Sequence, residues 1–81
     1  MNKLQPTSLH CYDLAVARMI AEKYGTSHMD ALRRFVQSQT HAMLEDADNG
    51  LYTFGAPGIF DIWESEAVTG EPRNSIYIRG E

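Results

Sequence analysis

The side chains able to do chemistry are few and scattered. His10, Cys11, His28 and His41 are the soft metal ligands of the chain. No two of the histidines stand three or four apart, the spacing by which one helix presents two ligands to one ion. A single cysteine excludes an internal disulfide and a multi-thiolate zinc site. Asp46-x-Asp48-Asn49-Gly50 begins like a calcium loop. Counted from Asp46, however, the glycine falls at loop position five instead of six, and no glutamate stands at position twelve. The segment therefore reads as a turn that ends a helix. Glu64 and Glu66 fall on different sides of a helix and do not form an acid–base pair. A glycine-rich phosphate loop, an HExxH pair and a serine-centred elbow are all missing from the sequence. The expectation is a protein with no catalytic residues, no bound metal and no cofactor.

The most specific pattern is that of a helix-turn-helix. Ala21, Gly25 and Ser27 supply the small residue, the turn glycine and the capping hydroxyl of that motif. The helix that follows would offer Arg33, Arg34, Gln37 and His41 outward, donors that can reach base edges and phosphates. An αα-hairpin uses the same glycine and serine for structural reasons alone. Asp30 in the leading turn would meet phosphates badly. The net charge of −4 also opposes a strong phosphate term. That charge is uneven. Up to Leu44 five basic side chains stand against three acidic ones, and beyond it two stand against eight. DNA binding is thus the alternative reading and not the first.

The elements that must position these groups are mostly helical. A first helix is expected over residues 7–24, with Thr7 or Ser8 as N-cap and Gly25 as its left-handed stop. Leu9, Tyr12, Val16, Met19 and Ile20 fall on one stripe at helical spacing. Leu14, Ala17 and Ala21 form a second apolar strip on another side, the expected contact for a partner or a second copy. A second helix is expected from Ser27 to Glu45, with Ser27 and Asp30 as a short capping box. Its inward stripe is Met29, Leu32, Phe35, Val36 and Met43. Gln39 lies within that stripe, where it would brace a neighbouring loop, and Thr40 at its edge. Arg34, Gln37, Ser38, His41 and Glu45 face outward, and His28 and His41 read as solvated. A third helix is expected from the Gly55-Ala56-Pro57-Gly58 opening to Gly70, with Ile59, Ile62, Trp63 and Ala67 inward. Glu66 falls within that arc and requires a cationic or hydrogen-bonding partner.

Two short runs, 51–54 and 75–79, are rich in β-formers and read as strands that pair into a small ribbon. The fold expected is α+β and mainly α: three helices in one small domain with a two-stranded ribbon that includes the C-terminus. Residues 1–6 form an arm and 7–81 the domain. Eighty-one residues hold one core and no second domain. The sequence has no apolar run near the ~20 residues of a bilayer span and no apolar signal core. The expectation is a cytoplasmic protein that does not contact a membrane.

The run Ala31-Leu32-Arg33-Arg34-Phe35-Val36-Gln37-Ser38-Gln39-Thr40-His41-Ala42-Met43-Leu44-Glu45-Asp46 carries a resemblance. It continues through Gly50-Leu51-Tyr52 and Ile59-Phe60-Asp61-Ile62-Trp63-Glu64-Ser65-Glu66. The whole is similar to a group of short uncharacterised bacterial proteins with the pattern AL..F..S.T..ML.D...GLY..SP..I...Y..E, over residues 27–66. Members of that group look like accessory or antitoxin-type genes beside toxin genes. The chain departs from the pattern at Ala56, which replaces a serine before Pro57, and at His41, which replaces a tyrosine. Ser38, Thr40 and Glu66 stand at positions that are polar in the pattern as well. The resemblance implies that they form an internal network between the second and third helices, with Gln39 beside them. The function expected is a non-catalytic regulatory or protein–protein interaction module, dimeric or bound to a partner, and antitoxin-like in type; after DNA binding, a small metal- or ligand-binding protein is the second alternative.

Overall fold

Pro6 sits in the first turn of α1 (Pro6–Tyr24), where its missing N–H costs nothing. Gln5 is the N-cap and makes no side-chain bond, so neither Thr7 nor Ser8 takes that role. Gly25 ends the helix in the left-handed conformation, at φ 68°. Ser27 then caps α2 (His28–Val36), its Oγ accepting from the Asp30 N–H at 3.1 Å. The computed structural model describes residues 2–79, and every regular element among them is helical. After α2 come α3 (Gln39–Glu45), α4 (Gly55–Thr69) and the single turn α5 (Ile76–Arg79), with 3-10 turns at Ala47–Asn49, Leu51–Phe54 and Pro72–Asn74.

The expected α+β class is therefore corrected to all-helical, since no strand occurs among the described residues. Leu51–Phe54 is wound up instead of extended. Gly50 turns left-handed before it (φ 74°), and the Thr53 N–H and hydroxyl both donate to the Gly50 carbonyl. Ser75 breaks the second expected strand. Its Oγ accepts from the Tyr77 N–H at 3.2 Å and donates to Asp61 on α4 at 2.6 Å, starting a helical turn and tying it down. With both runs coiled, no ribbon can form.

The expected helix over 27–45 is two helices. Ser38 uses its hydroxyl twice, donating to the Phe35 carbonyl at 2.6 Å and accepting from the His41 N–H at 3.1 Å. It thereby closes α2 and caps α3, the local competition for backbone groups that makes serine a helix boundary. The change of axis alters which residues face in. Ala31 and Phe35 of α2 are buried with Thr40, His41 and Leu44 of α3. Met29 and Val36, expected inward, are 68% and 45% exposed.

The core joins Val16, Ala17, Ile20 and Ala21 of α1 to Ala31, Phe35, Leu44 and Leu51, and to Ile59, Ile62 and Trp63 of α4. Leu9, Tyr12, Leu32 and Met43 pack around it, half-buried. Gly58 lies where α4 meets its neighbours: a methyl group there would stand 2.7 Å from Phe54 Cβ and 3.2 Å from the Tyr77 ring. The N-terminal arm is hydrogen-bonded to the end of α3. The Leu4 N–H donates to the Glu45 carbonyl at 2.8 Å, and the Ala47 N–H donates to the Asn2 carbonyl at 3.0 Å. Met1 at the head of the arm, and residues 80–81, lie outside the described residues. No helix among the described residues is long and apolar enough to cross a membrane.

Candidate functional site

α2 carries an exposed apolar edge. Met29, Leu32 and Val36 recur at i, i+3 and i+7, which keeps them on one side of a nine-residue helix. Leu32 is half-buried against the core, while its two neighbours face solvent. Asp30 and Arg33 flank the edge and approach each other at 3.4 Å, with both side chains mostly exposed. The edge exists because Ser27 fixes where α2 begins and Ser38 fixes where it stops.

The expected contact strip on α1 does not form one surface. Ala17 and Ala21 are inside the core, where small side chains let α1 and α2 approach closely, and of the strip only Leu14 is exposed, at 51%. Of the four residues expected to face DNA, Arg33, Arg34 and Gln37 are exposed. His41 is not: it is 5% exposed and packed edge-on against Phe35, with ring centroids 5.3 Å apart. The expected solvated position of His41 is therefore corrected, and the cause is the break at Ser38, which turns α3 inward.

Ser38, Gln39, Thr40 and Glu66 are brought together. Glu66 of α4 accepts from the Gln39 N–H at 2.9 Å, the Thr40 N–H at 2.8 Å and the Thr40 hydroxyl at 2.7 Å. Its carboxylate caps the first turn of α3, the end of a helix where negative charge is favoured. Gln39 contributes its backbone, and its side chain is exposed. With both oxygens engaged, Glu66 is a fixed acceptor and not a free base. Arg34, Gln37 and Trp63 border an open cleft of about 370 Å³ beside it.

Two groupings were not foreseen in the sequence. His41 Nε2 lies 2.9 Å from Asp13 Oδ1 on α1, and its Nδ1 lies 3.2 Å from Glu45 Oε1. The first is a charge contact and not an aligned hydrogen bond, for neither buried atom has a well-directed partner. Burial raises the Asp13 carboxyl above its ordinary range, and the adjoining imidazole offsets part of the rise. The i, i+4 spacing of His41 and Glu45 was a usable signal; Asp13 was not, because it joins them only through tertiary packing.

The second grouping is at the C-terminal end of α1. Glu64 of α4 accepts hydrogen bonds from the Lys23 ammonium and the Tyr24 hydroxyl, which hold its carboxyl below the usual range. The same contacts raise Lys23 and Tyr24. This cluster clamps α1 to α4. Among the described residues no three His, Cys, Asp or Glu side chains are placed to hold a metal ion. His10, Cys11 and His28 are separate and exposed. Comparison of the chain with protein-family models, with curated proteins and with solved structures gives no match.

Proposed function

We propose that the protein is a non-catalytic interaction module, that its contact is the Met29–Leu32–Val36 edge of α2, and that the occupant is a second copy of the chain. One observation carries this reading: two large apolar side chains stand exposed on a helix edge whose pattern is complementary to itself. Laid antiparallel about a two-fold axis level with Leu32 and Arg33, this edge sets Met29 against the partner's Val36. The flank matches as well. Asp30 comes within a turn of the partner's Arg33, so the exposed intrachain pair can re-form across the axis. A nine-residue edge buries less than the ~1,200 Å² of a standard interface, so the association expected is weak and concentration-dependent. The regulatory, antitoxin-type role implied by the sequence resemblance is a narrower form of this reading.

Sedimentation equilibrium over a wide range of protein concentration tests it. The wild-type mass should rise toward that of a dimer, and Met29→Lys with Val36→Lys should hold the chain monomeric without changing its circular dichroism. A wild type that stays monomeric throughout overturns the proposal. So does association abolished by Leu14→Asp but untouched by the α2 pair.

DNA binding through α2 is the second reading, favoured by the joint exposure of Arg33, Arg34 and Gln37 after a left-handed glycine turn. It requires a gel shift that weakens with salt and on Arg34→Ala. The loss of His41 to the core and the carboxylate of Asp30 beside Arg33 count against it.

A further inference from the structure

Between the end of α3, the turn Leu51–Phe54 and α5 lies a hollow of about 370 Å³, within the size range of small-ligand sites. Met43, Leu51, Phe54, Tyr77 and Ile78 make its walls apolar, and Arg73 joins them. The walls are fixed from behind. Gly58 has no Cβ, which lets Phe54 and the Tyr77 ring close on α4. The two rings stand 5.7 Å apart, tilted by 54°. Buried Ser75 donates to Asp61 and accepts from the Tyr77 N–H, which pins α5 to α4. Asn49 spends both ends of its amide on the backbone, donating to the Met43 carbonyl at 2.7 Å and accepting from the Leu51 N–H at 3.2 Å. Phe54 and Tyr77 are nonetheless 36% and 42% exposed, aromatic surface that the described residues leave uncovered.

We propose that this hollow binds a small aromatic carboxylate. Its walls set the body of the ligand. Two tilted rings accept a third in edge or offset packing, and the Met43 thioether is a favourable neighbour for an aromatic edge. Leu51 and Ile78 add aliphatic surface. Arg73 sets the charge. One of its side-chain N–H groups goes to the Glu71 carboxylate at 3.2 Å, and the same oxygen accepts the Arg73 backbone N–H at 3.1 Å. That pair is largely exposed and therefore weak. The guanidinium keeps further donors in its planar fork, which matches the two oxygens of a carboxylate. None of the described residues lining the hollow is acidic. The cleft beside Arg34, by contrast, has the Glu66 carboxylate in its wall and would repel an anion.

Titration of the full chain at neutral pH, followed by amide NMR shifts, tests this with two probes: naphthoate and the uncharged naphthalenemethanol. Naphthoate should bind with a Kd on the order of 1 mM, the affinity expected of so small a ligand in an open site. Its shifts should centre on the amides of Met43, Leu51, Phe54, Arg73, Tyr77 and Ile78. The alcohol should bind in the same place about 3–5-fold more weakly, the worth of one exposed charge pair. Arg73→Gln should remove that preference, and Phe54→Ala should weaken both probes. Arg73 is exposed and outside the core, so its variant keeps the fold even if the Phe54 variant does not. The absence of saturable shifts well above the expected Kd overturns the proposal. So do shifts centred on Met29 and Val36, equal affinity for the two probes, or a preference that survives Arg73→Gln. None of these outcomes depends on whether α2 binds a second copy.

Discussion

Glu66 shows how much one side chain can settle. It leaves α4 and ends as the N-terminal cap of α3, accepting two backbone N–H groups and one hydroxyl. Replacing it by alanine strands those donors at the start of a short helix. We expect Glu66→Ala to cost about 1–3 kcal/mol in denaturant melts. Glu66→Gln should cost less, since its amide oxygen still accepts. The need of Glu66 for a partner was legible from its place in an apolar arc. The identity of that partner was not, because it is a helix start that the sequence pattern conceals. Gly58 is the second such residue. An added Cβ would meet Phe54 Cβ at 2.7 Å, a contact that no rotamer change relieves. Gly58→Ala should therefore destabilise by about 1–3 kcal/mol, although alanine is the better helix former.

At the scale of elements, α1 and α4 were legible because their ends are written locally. Gly25 and Gly70 stop them in the left-handed conformation, at φ 68° and 82°, and both stops were expected. Gly25 has nothing within 4 Å of an added Cβ, so Gly25→Ala isolates the conformational cost, about 1 kcal/mol in a thermal melt. The α2–α3 break was not legible. Ser38 lies in a run with helical periodicity on both sides, and serine alone is tolerated in helices. Only the Glu66 carboxylate arriving from α4 makes a new helix start at Gln39 favourable. Ser38→Ala removes a bond at each side of the break and should cost about 1–2 kcal/mol. The expected ribbon failed for a different reason. Runs of four or five β-formers do not distinguish a strand from a helical turn, and here Gly50 and Ser75 set the coiled outcome.

At the scale of the molecule, the chain folds into a body 34 × 30 × 18 Å across, two helix layers thick. Its charged clusters tie α1 to α4 at Glu64 and to α3 at His41, and both are taken up by the fold itself. On α2, Met29 and Val36 stay exposed. The α2 edge was hidden in the sequence because Met29 and Val36 belong to the same helical stripe as Phe35 and read as core. Only the short length of α2 and the turn of α3 away from it leave them uncovered.

The arrangement proposed at that edge is open to one direct measurement. Cysteine placed at both Met29 and Val36, with the native Cys11 replaced by serine, allows covalent trapping under mild oxidation. The two-fold antiparallel pairing predicts that the double variant, Met29→Cys with Val36→Cys, yields disulfide-linked dimers on a denaturing gel. Neither single variant should do so efficiently, because each residue would face the other position in the partner. Equal trapping of the singles, or none in the double at concentrations where the wild type self-associates, would contradict it.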